Sequence, residues 1–368
     1  MSIRCEVLIV GGGPAGLAAA IALRQKGLDV LVVDAVCPPI DKACGEGLMP
    51  DARRDLAALG VTASCGAPFD GITFFAGSHQ VTASFQQGPG VGIRRLHLHS
   101  LLVDRCEQLG VRLLWGSRVQ VESKGLLRIG GEPCVFRYAV GADGQSSRMR
   151  SAIGLGPGKI FSRRFGVRCH YAIPPWSRMV EVYWGDRGQA YITPVGAGEI
   201  CVAAVSRDPS ARMEDVLSSL PRLRTRLAGA PERSRIRGAL TTTRKLKRVT
   251  AGKIALIGDA SGSADAVTGE GLGLSFRQAL LLAEAMAVGD LQIYERGYPL
   301  IERMPHLMSR VMLRMDAWPW LRQRAMRMFS GQPQLFASLL ALHLGQRSFS
   351  DFLLRDAPAL GMALLMQE

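Results

Sequence analysis

The chain has 368 residues, of which 48% are hydrophobic and 21% charged, with a formal net charge of +14. This composition is typical of a globular protein long enough for two domains, and it excludes a disordered chain. Runs of about 20 apolar residues are absent, which excludes a membrane-spanning helix. The N-terminus enters a strand directly, so we expect no signal peptide. Eight scattered cysteines without a C-x-x-C pair predict reduced thiols, no metal site and a cytoplasmic location.

The first motif is a predicted βαβ unit over residues 5–34. A short apolar strand ends at Gly11, a helix follows, and a second strand ends at Asp34. Gly11, Gly13 and Gly16 have the G-x-G-x-x-G spacing, which provides a tight turn, close approach to a pyrophosphate and close helix–strand packing. Asp34 lies roughly 20 residues further on, where a carboxylate accepts from ribose hydroxyls. The unit predicts a dinucleotide site.

Further along the chain, short helices and strands alternate and are then followed by a β-rich stretch. The pattern predicts a helix ending near Leu59, strands within 70–87, a helix over 94–109, a strand over 111–115, a meander over 118–139, strands within 161–206, a helix over 214–227, a strand over 253–257 and helices from 270 onward. Because the last strand of the α/β pattern comes only at 253, the β-rich middle interrupts an α/β domain.

Two later motifs each follow a predicted strand. Residues 141–150 begin Gly-Ala-Asp-Gly, and Gly258-Asp259 leads into the glycine-rich segment 268–273. Asp259 is an acceptor at the carboxyl end of a strand, where ligands of α/β sheets bind. The glycine-rich segment lets a helix N-terminus approach a ring edge, where its positive end stabilises an anion. Asp143 suits either a nucleotide contact or the start of a helix.

With the opening unit, these motifs resemble, in order and spacing, the flavoprotein family typified by para-hydroxybenzoate hydroxylase, over about residues 1–290. The resemblance implies FAD as the cofactor and NAD(P)H as a transient electron donor, since no separate nicotinamide domain is visible. Asp259 matches the family's acid on the ribityl chain, and Arg95 matches its arginine near the pyrophosphate. The predicted cofactor contacts are Gly11, Gly13, Pro14, Ala15, Gly16, Asp34, Cys44, Gly45, Glu46, Arg95, Val119, Asp143, Gly258, Asp259, Gly269, Gly271 and Leu272.

The predicted fold class is therefore α/β: a Rossmann-type FAD-binding domain with an inserted β-rich substrate domain and a helical C-terminal region. We assign residues 1–70, 91–158 and 245–290 to the FAD-binding domain. Residues 71–90 and 159–244 form the β-rich substrate domain, and residues 291–368 form the helical C-terminal region.

Residues 44–50, Cys-Gly-Glu-Gly-Leu-Met-Pro, resemble two branches of this family. A Lys-x-Cys-Gly start is similar to the geranylgeranyl reductase branch, and Gly-Glu-x-Leu-x-Pro is similar to the flavin-dependent halogenase branch. Both resemblances place the segment against the isoalloxazine ring. The Trp-x-Trp-x-Ile-Pro signature of halogenases is missing, which argues against halogenation. Cys44 is the one candidate catalytic residue, as a flavin contact and a proton donor.

Three functions are compatible with these motifs. The leading hypothesis is an NAD(P)H-driven monooxygenase that hydroxylates an aromatic, polyketide-like or lipophilic substrate through a flavin C4a-hydroperoxide. The second is a geranylgeranyl-reductase-like ene-reductase that saturates an isoprenoid or polyene double bond, with the proton from Cys44 or a nearby donor. The third is a flavoprotein that modifies a carrier-bound or protein-bound substrate.

The basic charge and the C-terminal tail bear on partners. Arginine and lysine cluster within 163–168, 244–248 and 322–327, and methionine, tryptophan and arginine alternate over 304–329. The charge suits an acidic carrier protein or an anionic membrane surface, whereas no groove-reading motif supports nucleic acid. The tail suits a cover for the substrate domain, an opening for a long apolar substrate, or a peripheral membrane contact.

Overall fold

The computed structural model describes residues 2–122 and 126–356; residues 357–368, assigned above to the helical C-terminal region, lie outside the described residues. The strands are β1 (Ile3–Arg4), β2 (Val7–Val10), β3 (Val30–Val33), β4 (Gly47–Leu48), β5 (Ala67–Phe69), β6 (Gly71–Ala76), β7 (His79–Ser84), β8 (Gly90–Gly92), β9 (Arg112–Leu114), β10 (Val119–Val121), β11 (Leu127–Ile129), β12 (Glu132–Val135), β13 (Tyr138–Gly141), β14 (Lys159–Tyr171), β15 (Met179–Trp184), β16 (Gln189–Gly196), β17 (Glu199–Ser206), β18 (Arg237–Lys245), β19 (Thr250–Ala251), β20 (Ile254–Leu256) and β21 (Gly262–Ser263).

The helices follow the same chain order. They are α1 (Pro14–Gln25), α2 (Pro50–Ala58), α3 (Arg95–Gln108), α4 (Arg148–Ala152), α5 (Met213–Ser218), α6 (Pro221–Leu227), α7 (Gly271–Ala287), α8 (Leu291–Ala317), α9 (Pro319–Gly331), α10 (Pro333–His343) and α11 (Phe349–Arg355). Where 214–227 was predicted as one helix, the structure has α5 and α6. The break falls at Pro221, which has no backbone N–H to continue a helix and begins the next one instead.

The first sheet has the strand order β19-β20-β13-β2-β3-β9, in which all strands but β19 are parallel. Its central strands are apolar along their whole length because both faces are covered. Val7, Ile9, Val30 and Val32 pack with α1, α3 and α7 on one face. The alternate residues pack with α4 and the small sheet β1-β12-β11-β10 on the other.

The second sheet has eight strands in the order β21-β18-β14-β17-β16-β15-β6-β7. Its pairs are antiparallel except for β6 and β15, which run parallel. Side chains alternate between its faces: Val180, Val182 and Trp184 face α9 and α10, whereas Tyr183 and Ile192 face α5 and α6. The sheet is therefore a layer between two sets of helices.

Candidate active site

One cavity of about 1010 Å³ extends from the carboxyl ends of β2, β3 and β13 to the C-terminal helices. All predicted cofactor contacts except Gly16 line it. They are Gly11, Gly13, Pro14, Ala15, Asp34, Cys44, Gly45, Glu46, Arg95, Val119, Asp143, Gly258, Asp259, Gly269, Gly271 and Leu272. Residues far apart in the sequence thus meet at the edge of the sheet where α/β proteins bind ligands.

The glycines of the first motif have different roles in the structure. Gly11 has φ +115°, and a Cβ there would lie 2.4 Å from the carbonyl oxygen of Ala142. Gly16 does not line the cavity; a Cβ there would lie 1.9 Å from the carbonyl oxygen of Gly11. Gly16 therefore allows α1 to pack closely on the turn. Gly13 faces open space, because a Cβ built on it would have no neighbouring atom within 4 Å.

Asp34 and His99 fix the loop between β2 and α1. Asp34 Oδ2 accepts from the backbone N–H of Gly12 at 2.6 Å, and Oδ1 accepts from that of Val36 at 2.8 Å. Each oxygen keeps a second lone pair for a ligand hydroxyl. The buried His99 lies with Nε2 2.9 Å from the carbonyl oxygen of Gly12, and burial lowers the pKa of His99. The neutral ring donates to Gly12, which is a structural role.

Asp143 and Asp259, the acidic residues of the two later motifs, have different hydrogen-bond partners. Asp143 accepts from the backbone N–H groups of Arg148 at 2.7 Å and Met149 at 3.1 Å, so it binds the start of α4, whose N-cap is Ser147. This is the helix-start role considered for it, although Asp143 also lines the cavity. Asp259 pairs with Lys42 at 2.9 Å and is part exposed. Asp259 is therefore available to a ligand hydroxyl at the end of β20.

Glu46 is the most constrained residue of the site. It is buried and has φ 60°, the only residue other than glycine with a positive φ in the described part of the chain. Such backbone strain is concentrated at functional sites. Glu46 Oε1 accepts from the backbone N–H of Arg95 at 2.9 Å. Its backbone N–H lies 3.4 Å from Cys44 Sγ, so the strained turn also positions the thiol.

Glu46 is joined to β14 through a buried histidine. Glu46 Oε2 lies 2.6 Å from His170 Nε2, and His170 Nδ1 lies 2.8 Å from Ser234 Oγ. Guanidinium nitrogens of Arg168 and Arg94 lie 3.3 and 3.4 Å from the same Nδ1. Because these groups are donors, Nδ1 is the acceptor and the ring proton lies on Nε2, donated to Glu46. A hydrogen-bonded chain therefore leads from half-buried Ser234 to the cavity wall.

Sequence reasoning missed His170, Ser234 and Cys201, although it predicted Glu46 as a cofactor contact. Cys201 completes the cluster, with Glu46, His170 and Cys201 ligand atoms all within 4.8 Å of one another. Burial raises the pKa of the Cys201 thiol well above its usual value. Arg168 also lies 3.7 Å from Glu46 Oε1 and pairs with Asp41. Its guanidinium therefore places a positive charge beside both carboxyl groups. The available signal was the spacing of Arg168 and His170, which places two polar side chains on the same face of β14.

A second polar pair lies where α7 begins. Glu270 and His343 are both buried, with His343 Nε2 3.6 Å from Glu270 Oε2, and His343 lines the cavity. Burial raises the pKa of Glu270 well above its usual range and lowers the pKa of His343 to about 4. His343 is therefore neutral near pH 7, and burial favours the protonated, neutral form of Glu270.

His343 makes the stability of the protein depend on pH. Its folded-state pKa lies below the unfolded value of about 6.5, so the unfolded chain binds more protons between these values. The contribution of neutral His343 to the free energy of unfolding is fully present above pH 6.5 and is lost as the pH falls through 4. The total loss is about 3 kcal/mol. Urea unfolding over this range should show a smaller loss for His343→Gln than for the wild type. The exposed His97→Gln is the control; equal pH dependence in all three proteins would contradict the assignment.

The described residues fit an FAD molecule. The cavity is large enough, a helix N-terminus opens onto it at Pro14, and the buried Nε of Arg95 has no hydrogen-bond partner. Gly271, at the start of α7, faces open space in the same cavity. Arg95 and the N-terminus of α1 provide donors for phosphates, and the N-terminus of α7 provides a positive helix end for the ring. Gly271 leaves the cavity open at the start of α7.

Known proteins share this sequence pattern and this fold. The profile of the family described as "FAD binding domain" matches residues 4–289. A menaquinone reductase from Mycolicibacterium smegmatis is 27% identical over 347 residues, covering 82% of this chain and 81% of that protein. The structure of a p-nitrophenol 4-monooxygenase from Pseudomonas putida superposes with a TM-score of 0.78 at 19% identity, covering 94% of this chain and 98% of the other.

A further solved structure has a related fold. A geranylgeranyl bacteriochlorophyll reductase-like protein from Thermoplasma acidophilum superposes with a TM-score of 0.71 at 19% identity, covering 85% of this chain and 87% of the other. At these identities the structural likenesses establish the fold alone. The predicted fold class is confirmed.

Proposed function

This chain belongs to the FAD binding domain family and is an FAD-dependent oxidoreductase, and from this premise we propose that it reduces a carbon–carbon double bond in a long apolar substrate of the isoprenoid quinone type. The second hypothesis drawn from the sequence thereby takes precedence over the monooxygenase hypothesis. Similarity along most of the chain to a menaquinone reductase supports this order.

The observation that carries the proposal is the apolar arm of the cavity. Beyond the nucleotide end, side chains of the second sheet and the C-terminal helices line it, with methionine and phenylalanine prominent. They include Phe74, Val180, Val182, Met308, Met312, Met315, Met328, Phe329 and Phe336. Flexible methionine side chains adapt to an irregular apolar ligand. An arm of this composition fits a hydrocarbon chain.

FAD, when bound and reduced, would supply a hydride to one carbon of the double bond. The other carbon requires a proton, and the apolar arm contains few groups able to give one. Glu46 lines the cavity and accepts a hydrogen bond from Nε2–H of His170, and Nδ1 of His170 is hydrogen bonded to Ser234. We assign Glu46 and His170 to proton supply, and Cys44, held against the backbone N–H of Glu46, to positioning at the reacting end.

The other residues bind and orient. Arg95 and the N-terminus of α1 would hold the pyrophosphate of FAD, and Asp34 and Asp259 would hold its hydroxyls. The N-terminus of α7 would stabilise negative charge on the ring. The electron donor in this proposal is NAD(P)H, bound transiently. Side chains of α8, α9 and α10 line the apolar arm.

Anaerobic single turnover tests the proposal. The purified holoprotein is reduced with dithionite, so that the identity of the natural donor does not matter, and mixed with an isoprenoid quinone. Reoxidation of the flavin together with a product that has gained two hydrogens in its side chain is the expected result. A product that appears only in air and carries an added oxygen atom would overturn the proposal in favour of the monooxygenase.

A further inference from the structure

The second candidate site of this molecule lies on the outside of α8. At about 100° per residue, Leu300, Leu307 and Val311 fall on one line along this helix, and Trp318 directly follows its last residue. Leu300 is 75% exposed, Val311 41% and Trp318 47%, and Leu307 is half-buried. We call this line the α8 stripe. Water-exposed apolar side chains in a row indicate a surface that is covered when the protein works.

Positive charge borders the α8 stripe on one side. Arg303, Arg310 and Arg314 are exposed and lie about 40–80° around the helix from it. The three acidic residues of α8 are directed elsewhere: Glu295 accepts from Thr250, Glu302 hydrogen bonds to Gln278, and Asp316 pairs with Arg207. The exposed charge along the α8 stripe is therefore of one sign.

Two tryptophans lie at the end of the α8 stripe. Trp318 and Trp320 stack with ring centroids 6.3 Å apart and an interplanar angle of 16°, and Trp320 is 62% exposed. Stacked indoles at a water-facing helix junction do not contribute to the core. Tryptophan is enriched at the membrane–water interface, where its ring lies among lipid headgroups. Beside arginine, such a pair is typical of an interfacial amphipathic helix.

The α8 stripe is continuous with the cavity. Val311 is at once exposed and part of the cavity wall, together with Leu307, Met308 and Met312 of the same helix. The apolar arm thus reaches the surface at the α8 stripe. Among the helices that the structure describes, none has the length and the apolar character of a membrane span.

We propose that the α8 stripe and the tryptophan pair dock on an anionic lipid bilayer, and that a lipid-borne substrate enters the cavity beside Val311. Positive charge alone would also suit an acidic protein. The stacked tryptophans and the opening of an apolar cavity at the same place favour lipid, since a membrane-dissolved substrate then moves from bilayer to cavity without crossing water. Only the substrate step rests on the proposed function; docking does not.

Vesicle binding without turnover tests the docking. The holoprotein is sedimented with vesicles of phosphatidylcholine, with and without phosphatidylglycerol. We expect binding to the anionic vesicles that weakens with salt. Each arginine should contribute about fivefold, so Arg310→Gln/Arg314→Gln should lower binding about 30-fold. Arg233→Gln/Arg235→Gln, also exposed, is the matched control and should bind as the wild type does.

The tryptophans give an independent measurement. Brominated lipids in the same vesicles should quench wild-type fluorescence, and Trp318→Ser/Trp320→Ser should lose most of this quenching. Equal binding to neutral vesicles, equal loss in the control pair, or unchanged binding of the two α8 variants would each overturn the proposal. A variant truncated after residue 356 keeps α8. If this variant no longer bound the vesicles, the proposal would also be overturned, because residues 357–368 would then be the membrane contact. None of these outcomes bears on double-bond reduction.

Discussion

Glu46→Gln is expected to lower the rate of double-bond reduction by about 100-fold while leaving FAD bound. The amide keeps the size of the side chain and can still accept the backbone N–H of Arg95. It cannot take the Nε2 proton of His170 and pass one on. Hydride delivery would then proceed without a proton from the Glu46 carboxyl group.

The measurement is anaerobic mixing of the reduced variant with substrate, in H₂O and in D₂O. The wild type should show a solvent isotope effect that is altered in Glu46→Gln and in His170→Gln, since both interrupt the same path. His97→Gln, on the exposed side of α3, is the matched control. FAD content, read from the absorbance spectrum, separates a loss of proton supply from a loss of cofactor.

Cys44 provides the competing explanation, because the thiol lines the same cavity. If Cys44→Ser abolished reduction while Glu46→Gln kept the wild-type rate and isotope effect, the thiol would be the proton source and the role of Glu46 would be structural. If both variants were slow, the isotope effect would identify the residue whose proton moves in the slow step.

The nucleotide end of the cavity could be predicted because its signals are local in the sequence. A glycine pattern directly after an apolar strand, or an acid directly after another, is read within a few residues, and parallel strands bring such positions to one edge. Asp34, Asp143 and Asp259 reach the same cavity for this reason. Nothing beyond strand order was needed to place them.

The proton path could not be predicted in this way. Glu46 and His170 are 124 residues apart, and they meet only because β14 of the second sheet passes beside the loop that follows β3. No periodicity encodes that approach. The strain at Glu46 was equally hidden, since the Gly45-Glu46-Gly47 sequence indicates a turn but not which of its residues takes a positive φ.

Arg164→Met is expected to lower the free energy of unfolding by about 3–5 kcal/mol. Arg164 is fully buried on β14, with Nη1 3.2 Å from Asp265 Oδ1 and Nη2 3.9 Å from Asp316 of α8. Asp265 also caps the turn before α7, where Val267 N–H donates to it at 3.1 Å. Removing the guanidinium leaves a buried carboxylate without its partner at the cavity wall.

Urea unfolding with excess FAD measures this loss, and Arg163→Met is the matched control because Arg163 is exposed on the same strand. Arg164→Met/Asp265→Asn should recover much of the stability, since the asparagine is neutral and still caps the turn. A double variant no more stable than Arg164→Met would mean that the loss comes from packing around the arginine. Recovery would instead identify the unpaired buried charge of Asp265 as the cause.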